Sequence, residues 1–303
     1  MANKIEYIVN MQYIEPLFRP PSEANSLILQ VTNGCSWNHC AFCEMYTAPQ
    51  KKFSVKKDEQ IKLDIENAKA LYPDVRRIFL ADGDAMVLST RRLLSILSMI
   101  KTYYPNLQRV SSYCLPRNVT SKSITELQEI HDAGLNLVYV GAESGDDEVL
   151  KLVEKGETFS STVDSLQKLQ HAGINTSVMI LNGLGGKLYT RQHALNSARL
   201  VNETQPKYLA TLVVSFPLGT ERFIQAFSGR FEMLDQQALF KEMELFLEHT
   251  QLRNTIFRSD HASNYLILKG VLGKDKQLLL EKLRAAQTSP GSVNLREEWQ
   301  RGL

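Results

Sequence analysis

Apolar and polar residues follow two alternating periods along the chain from about residue 25 to residue 216. Short runs rich in β-branched and aromatic residues are typical of buried strands, and the segments between them carry apolar residues at steps of three or four, as amphipathic helices do. The runs predicted as strands are 26–32, 77–81, 109–113, 135–141, 175–181 and 208–216. This alternation predicts an α/β fold made of parallel β/α units.

Two predicted helices end in the same way, and this repetition supports the β/α units. Each helix has a glycine after its last apolar turn, Gly134 in one and Gly173 in the other, and a strand begins at once. Glycine suits the left-handed conformation that commonly ends a helix. Such turns fit a barrel or a doubly wound sheet, and the periodicity alone does not choose between them.

Composition and charge narrow the class of protein. With 303 residues, the chain is long enough for one large domain or two modest ones. Its hydrophobic content of 43% and charged content of 22% are ordinary for a soluble globular protein. No run approaches the ~18 apolar residues that a membrane span needs, and a net charge of +2 gives no clear nucleic-acid signal. Met1–Asn10 lacks the apolar core of a secretory signal, so we expect a cytoplasmic protein with reduced thiols.

Three of the four cysteines, Cys35, Cys40 and Cys43, lie within nine residues directly after the first predicted strand. Three thiolates in one short loop suit a [4Fe–4S] cluster, with one iron left open to a small molecule. Zinc could recruit these thiols together with His39, but zinc sites normally draw their ligands from two separated pairs. The spacing therefore favours iron and sulfide, and Cys114 alone is too little for a second cysteine-ligated cluster.

The cysteine loop resembles that of the radical S-adenosylmethionine (SAM) enzymes, which read Cys-x3-Cys-x2-Cys with an aromatic residue before the last cysteine. Here the first gap is four residues, and Phe42 holds the aromatic position. The resemblance covers roughly residues 17–216. It implies a partial (β/α)6 TIM-type barrel with N- and C-terminal extensions: a segment beside the barrel mouth (1–24), the core barrel (25–216) and an extension that closes the barrel (217–303).

The resemblance also implies SAM contacts among the residues that follow the strands, since chemistry in such barrels collects at the carboxyl ends of the strands. Asp82-Gly83-Asp84 resembles the Gly-Gly-Glu motif that holds the methionyl amino group, although two acidic residues in an ordinary turn are the alternative. The implied cofactor-binding residues are Phe42, Asp82, Gly83, Asp84, Glu143, Ser144, Lys155 and Gly183.

Four of these residues have roles implied by the later strands. Glu143 or Ser144 would lie near the ribose hydroxyls, and Lys155 near the methionyl carboxylate, because an ammonium matches a carboxylate as a point charge. Gly183 would border the adenine. The alternative for Lys155 is an exposed lysine at a helix end.

Two further places carry candidate catalytic residues. Arg258, Asp260 and His261 form a dense polar group amid apolar neighbours, which predicts a site that orients or protonates a substrate. A helix N-cap network with Ser259 or Asp260 as the cap is the alternative. Cys114, at a strand's carboxyl end, would face the barrel mouth and donate a hydrogen atom, but a buried cysteine acting as a small hydrophobe is commoner.

The resemblance implies a radical SAM enzyme. A reduced [4Fe–4S] cluster would cleave SAM to methionine and a 5′-deoxyadenosyl radical, which abstracts hydrogen from a small-molecule or macromolecular substrate that the sequence does not identify. The electron would come from a donor such as flavodoxin or ferredoxin. The alternative is a non-catalytic iron–sulfur or zinc-binding protein with a degenerate SAM site.

Overall fold

A computed structural model describes residues 11–302. The predicted absence of a signal at Met1–Asn10, and the first part of the N-terminal segment, therefore lie outside the described residues. The strands are β1 (Leu27–Gln30), β2 (Thr32–Asn33), β3 (Ser54–Val55), β4 (Arg77–Ala81), β5 (Arg109–Tyr113), β6 (Leu135–Glu143), β7 (Asn175–Asn182), β8 (Tyr208–Val213), β9 (Thr255–Ser259) and β10 (Leu268–Leu272). The helices are α1 (Asp58–Leu71), α2 (Thr90–Tyr103), α3 (Pro116–Thr120), α4 (Ile124–Asp132), α5 (Asp147–Leu152), α6 (Phe159–His171), α7 (Gly186–Thr204), α8 (Glu221–Ala226), α9 (Gln236–His249) and α10 (Lys276–Thr288).

One large sheet has the strand order β1-β4-β5-β6-β7-β8-β9-β10. Every neighbouring pair from β1 to β9 is parallel, and β10 pairs with β9 in the antiparallel sense. The carboxyl ends of the parallel strands therefore lie along one edge, which we call the carboxyl edge. Among residues 11–302, β1 and β10 are not paired, so the sheet is open between them.

The predicted α/β class and its parallel strands are confirmed. The bounds of β4 and β5 are those predicted, and β6 and β7 extend slightly further, to Glu143 and Asn182. The sheet does not stop near residue 216, because β9 and β10 come from the predicted C-terminal extension. The charges around β9 interrupt its apolar run, and for this reason the strand pattern there is weak.

The helix stops at glycine are also confirmed. Helix α4 ends at Asp132 and α6 at His171, and the glycines that follow, Gly134 and Gly173, have φ angles of +117° and +84°. This left-handed backbone turns the chain directly into β6 and β7. Within residues 11–302, no helix combines the length and the apolar character that crossing a bilayer requires.

The two faces of the sheet have different environments. The main core lies between the sheet and the helices, where buried strand residues such as Val138 and Phe257 pack with helix residues such as Leu166 and Met243. A smaller cluster lies on the inner face and contains Phe79, Leu137, Tyr139, Tyr113, Tyr208 and Leu17. The inner face thus leads from an aromatic floor to the carboxyl edge.

The described part of the N-terminal segment runs across this inner face. At the carboxyl edge, Lys51 Nζ donates to the carbonyl of Ile14 (2.9 Å). Leu17 then joins the inner cluster, and Glu23 accepts a hydrogen bond (2.7 Å) from Arg109, the first residue of β5. The described part of the segment therefore passes from the carboxyl edge to the opposite edge of the sheet, and its predicted place beside the barrel mouth stays a prediction.

Candidate active site

The cysteine loop begins directly after β2, where Gly34 turns the chain. Gly34 has φ +66°, and a Cβ there would lie 2.0 Å from the carbonyl oxygen of Lys51, so only glycine fits. The Asn33 side chain donates to the carbonyls of Gln50 (2.7 Å) and Lys52 (2.9 Å) and closes the base of the loop. These contacts bring the loop of residues 34–43 to the carboxyl edge.

The three thiols of the loop are partly buried and influence one another. Burial raises the pKa of Cys40 to about 11, partly offset by the Lys155 ammonium, and the neighbouring Cys43 and Cys35 add to the rise. Burial likewise raises the pKa of Cys43. Metal binding has to displace the protons of these thiols, since only a thiolate binds metal. The mutual influence indicates that the thiols face a common space.

That common space suits a cubane cluster. Within residues 11–302, no three His, Cys, Asp or Glu side chains converge closely enough to hold a single metal ion. A [4Fe–4S] cube takes each thiolate on a different iron, so its ligands surround a volume and need not meet at a point. The residues Cys35, Cys40 and Cys43 are each only partly buried, as we expect of ligands that receive a cluster.

Neighbouring elements hold the loop from the side of β6. Trp37 Nε1 donates to the carbonyl of Glu154 (2.8 Å), and the Arg117 guanidinium stacks 3.8 Å from the Trp37 ring centre. Arg117 Nε in turn donates to Glu157 Oε1 (3.0 Å). Ser36 Oγ donates to Asp84 Oδ2 (2.6 Å), which joins the loop to the end of β4. The loop is therefore fixed to the sheet at several points.

The Asp82-Gly83-Asp84 motif lies where predicted, but its side chains serve the protein itself. Asp82 is fully buried, pairs with the equally buried Lys51 and accepts a hydrogen bond from Tyr46 (2.9 Å). A Cβ at Gly83 would lie 2.8 Å from the Tyr46 ring, so the close approach is to this ring. The SAM contact predicted for Asp82 stays a prediction, one that this arrangement does not favour for its side chain.

Asp84 is a second buried carboxylate in the same motif. Burial raises its pKa to about 6, and hydrogen bonds from Ser36 and Asn118 oppose the rise. Its side chain thus joins the cysteine loop to α3, and the predicted contact with the methionyl amino group stays a prediction.

Glu143 and Lys155 form a buried pair beside the cysteines. Glu143 ends β6 with a left-handed φ of +65°, and Lys155 Nζ lies 3.1 Å from its Oε1. Burial opposes the charge of Lys155, but Glu143 outweighs it and holds the pKa of Lys155 above its ordinary value. Glu143 Oε2 is buried and has no hydrogen-bond partner among the described residues. A buried carboxylate oxygen without a donor is costly, so this atom is a candidate acceptor for a ligand.

Phe42 borders the same space, and Gly183 lies near the apolar cluster that holds Phe42, with a Cβ there 3.5 Å from Val214. The Lys155 ammonium lies 5.8 Å from the centre of the Phe42 ring, and Phe42 packs against an apolar cluster that contains Ala41, Leu184 and Val214. Gly183 follows β7 at the carboxyl edge with φ +81°. The structure thus brings Phe42, Glu143 and Lys155 together, with the end of β7 nearby.

The Ser144 hydroxyl has a partner within the protein, so the arrangement does not favour the predicted ribose contact, which stays a prediction. Its Oγ lies 2.8 Å from His193 Nδ1, and the other ring nitrogen of His193 lies 3.8 Å from Glu242 Oε1. Glu242, on α9, accepts hydrogen bonds from the amide of Gly183 (2.6 Å) and from Thr190 Oγ1 (2.6 Å). The two adjacent residues therefore have different partners: Ser144 pairs with His193, and Glu143 pairs with Lys155 beside the cysteines.

Arg258, Asp260 and His261 lie at the carboxyl end of β9, but each side chain has a separate partner. Arg258 donates to the carbonyl of Phe257 (3.0 Å), Asp260 pairs with Lys269 (2.8 Å), and His261 Nδ1 lies 3.0 Å from Ser263 Oγ. The segment is a turn between β9 and β10, so the alternative of a helix N-cap is wrong. Burial and the charge of Arg296 lower the pKa of His261, and Asp260 opposes this.

Cys114 does not face the barrel mouth. It is 2% exposed and belongs to the main core between the sheet and the helices, with Val110 and Val119. Strand residues alternate between faces, so Cys114 points to the side opposite Tyr113 of the inner cluster. Burial raises its pKa well above the ordinary value for a thiol. This placement fits the small buried hydrophobe and does not favour the hydrogen-atom donor, which stays a prediction.

The profile of the Radical SAM superfamily matches residues 29–200. The chain belongs to the radical SAM superfamily. It is therefore an enzyme whose cofactors are a [4Fe–4S] cluster and SAM. Nothing in the comparisons supports the non-catalytic alternative.

Known proteins share part of the sequence or the fold of this chain. The heme chaperone HemW of Bacillus subtilis (strain 168) is 25% identical over 133 residues, which are 43% of this chain and 35% of the relative. The chain thus spans about a third of the length of that curated relative. Methylornithine synthase (PylB) superposes with a TM-score of 0.51 at 15% identity, covering 90% of this chain and 74% of its own. Coproporphyrinogen III oxidase (HemN) from Escherichia coli superposes with a TM-score of 0.51 at 16% identity, covering 74% of this chain and 52% of its own. At these identities the two structures show the fold alone.

Sequence reasoning missed the residues that support the site. Lys51 is fully buried, although the Lys51-Lys52 pair is typical of a solvated face. His193 and Glu242 link three elements that are far apart in the chain. No local pattern marks such residues, because their partners are brought near only by the fold.

Proposed function

We propose that Cys35, Cys40 and Cys43 hold the [4Fe–4S] cluster and that the Glu143–Lys155 pair binds SAM beside it. The enzyme then cleaves SAM reductively and removes hydrogen from a substrate that is still to be identified. The observation that supports this most directly is the buried Glu143 Oε2, which has no donor and lies beside the thiols. Its burial cost is offset when a ligand donates to it.

When bound, the reduced cluster and SAM supply a 5′-deoxyadenosyl radical that abstracts hydrogen. The residues of this chain bind and orient. Lys155 donates one hydrogen bond, to Glu143, among the described residues, so its ammonium keeps donors for a carboxylate. Glu143 Oε2 would accept a hydrogen bond from a ribose hydroxyl of SAM. Ala41, Phe42 and Val214 belong to an apolar cluster beside the cysteines, which limits the access of water from that side.

The turn after β9 borders the substrate space in this proposal. It lies at the carboxyl edge, and His261 uses Nδ1 for Ser263, which leaves Nε2 for exchange of a proton with a substrate. The electron comes from a small donor protein such as flavodoxin or ferredoxin, and we place the enzyme in the cytoplasm. Replacing His261 with alanine is then expected to leave SAM cleavage in the absence of substrate intact.

The test is anaerobic reconstitution followed by reaction with SAM and dithionite. We expect about four iron and four sulfide per chain and formation of 5′-deoxyadenosine. Replacing Cys35, Cys40 or Cys43 with alanine should abolish both, and Cys114→Ala, which removes a thiol from the core, should keep both. Iron without 5′-deoxyadenosine would overturn the proposed catalysis, and loss of the cluster in Cys114→Ala would overturn the ligand set.

A further inference from the structure

The outer side of the cysteine loop is held by a single arginine from the chain after β8. Arg222, on α8, donates through Nη2 to the carbonyl of Cys40 (2.6 Å) and of His39 (3.3 Å), and through Nη1 to the carbonyl of Cys43 (3.3 Å). A second contact lies beside it, where the amide of Leu218 donates to Glu44 Oε2 (3.1 Å). One guanidinium thus bonds the backbone of two proposed cluster ligands.

Helix α8 holds Arg222 against the loop through aromatic packing. Phe223, next to Arg222, is 1% exposed, and its ring centre lies 4.7 Å from Phe216 and 4.9 Å from Phe227. The same apolar cluster includes Ala41 of the cysteine loop. Helix α8 therefore packs against the cysteine loop, and this packing fixes the backbone from which the Arg222 side chain extends.

The geometry requires arginine in particular. The planar guanidinium presents donors in a fork, and here that fork spans three carbonyls at once, which a lysine ammonium on a flexible stem does not reproduce. The positive charge also lies against a loop that carries three thiolates once a cluster is bound. Cluster reduction adds negative charge, so a nearby cation favours the reduced state.

We propose that Arg222 is a positioning residue that keeps the cysteine loop in its cluster-binding conformation and raises the reduction potential of the cluster. This inference rests on the proposed ligand set of Cys35, Cys40 and Cys43. It assigns to the C-terminal extension a part in cluster chemistry, in addition to its strands.

Two variants separate the fork from the charge. Arg222→Gln removes the forked donors and the positive charge. Arg222→Lys removes the forked donors and keeps the positive charge. Arg230→Gln is the matched control, because Arg230 is exposed on the same segment and its side chain has no hydrogen bond or ion pair within residues 11–302. Each reconstituted protein is challenged with an iron chelator, and its midpoint potential is measured by an EPR-monitored titration without SAM. Circular dichroism verifies that each variant is folded.

We expect Arg222→Gln to release iron ~10-fold faster or more, as loss of a residue that orients ligands typically does, and to show a lower midpoint potential. Arg222→Lys should release iron quickly but keep a potential near that of the wild type, and Arg230→Gln should match the wild type in both. Wild-type behaviour of Arg222→Gln overturns the inference. Faster release with an unchanged potential overturns the electrostatic part. A wild-type protein that takes up no cluster overturns the proposed function, and this inference with it.

Discussion

Two polar regions lie at the carboxyl edge of the same sheet, and they use charge in different ways. Behind the cysteine loop, the pairs Lys51–Asp82 and Lys155–Glu143 are buried and are bonded through their side chains. After β9, Asp260 and its partner Lys269 are largely exposed to solvent, with side chains 36% and 53% accessible. The stronger contacts there go to the backbone.

In that second region two arginines hold the turn by its carbonyls. Arg296 donates to the carbonyls of His261 (2.6 Å), Asn264 (3.0 Å) and Asp260 (3.1 Å), and Arg301 donates to that of Ser263 (2.8 Å). A buried charge is costly unless it is paired. In the first region, each charged side chain therefore depends on its partner of opposite charge. The second region is an ordered turn whose charged pair, Asp260 and Lys269, is partly exposed, while Ser263 and Asn264 are buried. Polar density in a sequence therefore does not by itself distinguish the two.

Removal of Lys51 tests the comparison most severely. Lys51→Met should lower the free energy of unfolding by ~3–5 kcal/mol, because it leaves the Asp82 carboxylate buried without its cation. The measurement is denaturant unfolding. Lys52→Met is the matched control, since Lys52 is exposed, and it should change stability by less than about 0.5 kcal/mol. Equal midpoints for the two variants would contradict the buried pair.

Glu143 is the next strongest test, because it asks whether a buried pair also serves a ligand. Glu143→Gln should weaken SAM binding by ~1–3 kcal/mol through loss of a charged acceptor, with iron content unchanged. Calorimetric titration of the reconstituted protein measures this, with the exposed Glu148→Gln on α5 as the control. An unaltered dissociation constant would leave Glu143 with a structural role only.

Arg296 gives a smaller effect, in the other region. Arg296→Ala should lower the free energy of unfolding by ~1–2 kcal/mol, because three carbonyls of the turn lose a charged donor. Iron content and SAM binding should not change. The exposed Arg191→Ala on α7 serves as the control in the same unfolding experiment. A loss of SAM affinity in Arg296→Ala would mean that the two regions are coupled.

The smallest effect is the pH dependence at His261. Its pKa is lowered in the folded protein by burial and Arg296, with Asp260 opposing. The unfolded chain therefore binds the proton first as pH falls below about 6.5, and stability declines there. His261→Gln should reduce this decline and should match the wild-type slope near pH 8, where the imidazole is neutral in both states. Unfolding curves across this range check it, and an unchanged slope below pH 6.5 would contradict the shift.

The fold followed from local pattern where a run was apolar and bounded by turns, as for β4 and β5, and at the glycine stops Gly134 and Gly173. The cysteine loop was evident from spacing, because three soft ligands in nine residues have few other uses. Strand β9 was missed, since Arg258 interrupts its apolar alternation. A local sequence pattern reports on residues that are close together in the chain, and each of these correct predictions depends only on such residues.

The supporting residues of the site could not be found in this way. Lys51 and Lys52 are two adjacent lysines that local sequence does not distinguish. Lys51 is buried because it pairs with Asp82, which follows β4 and is distant in the chain. Glu143 and Ser144 are adjacent in the chain, and their different partners, Lys155 and His193, are brought near only by the fold. Cys114 follows a strand, but whether it faces in or out depends on one residue of register. Such choices are settled by tertiary contacts.

The bond between Glu242 and the amide of Gly183 bears on how this protein can be shortened. Residue 216 looked like a boundary, yet a chain cut there loses the acceptor for Gly183, the arginine fork on the cysteine loop and the strand that covers β8. The new terminus would expose β8 as an unprotected parallel edge, which invites aggregation. A shortened protein made for spectroscopy therefore has to keep α8, α9, β9 and β10.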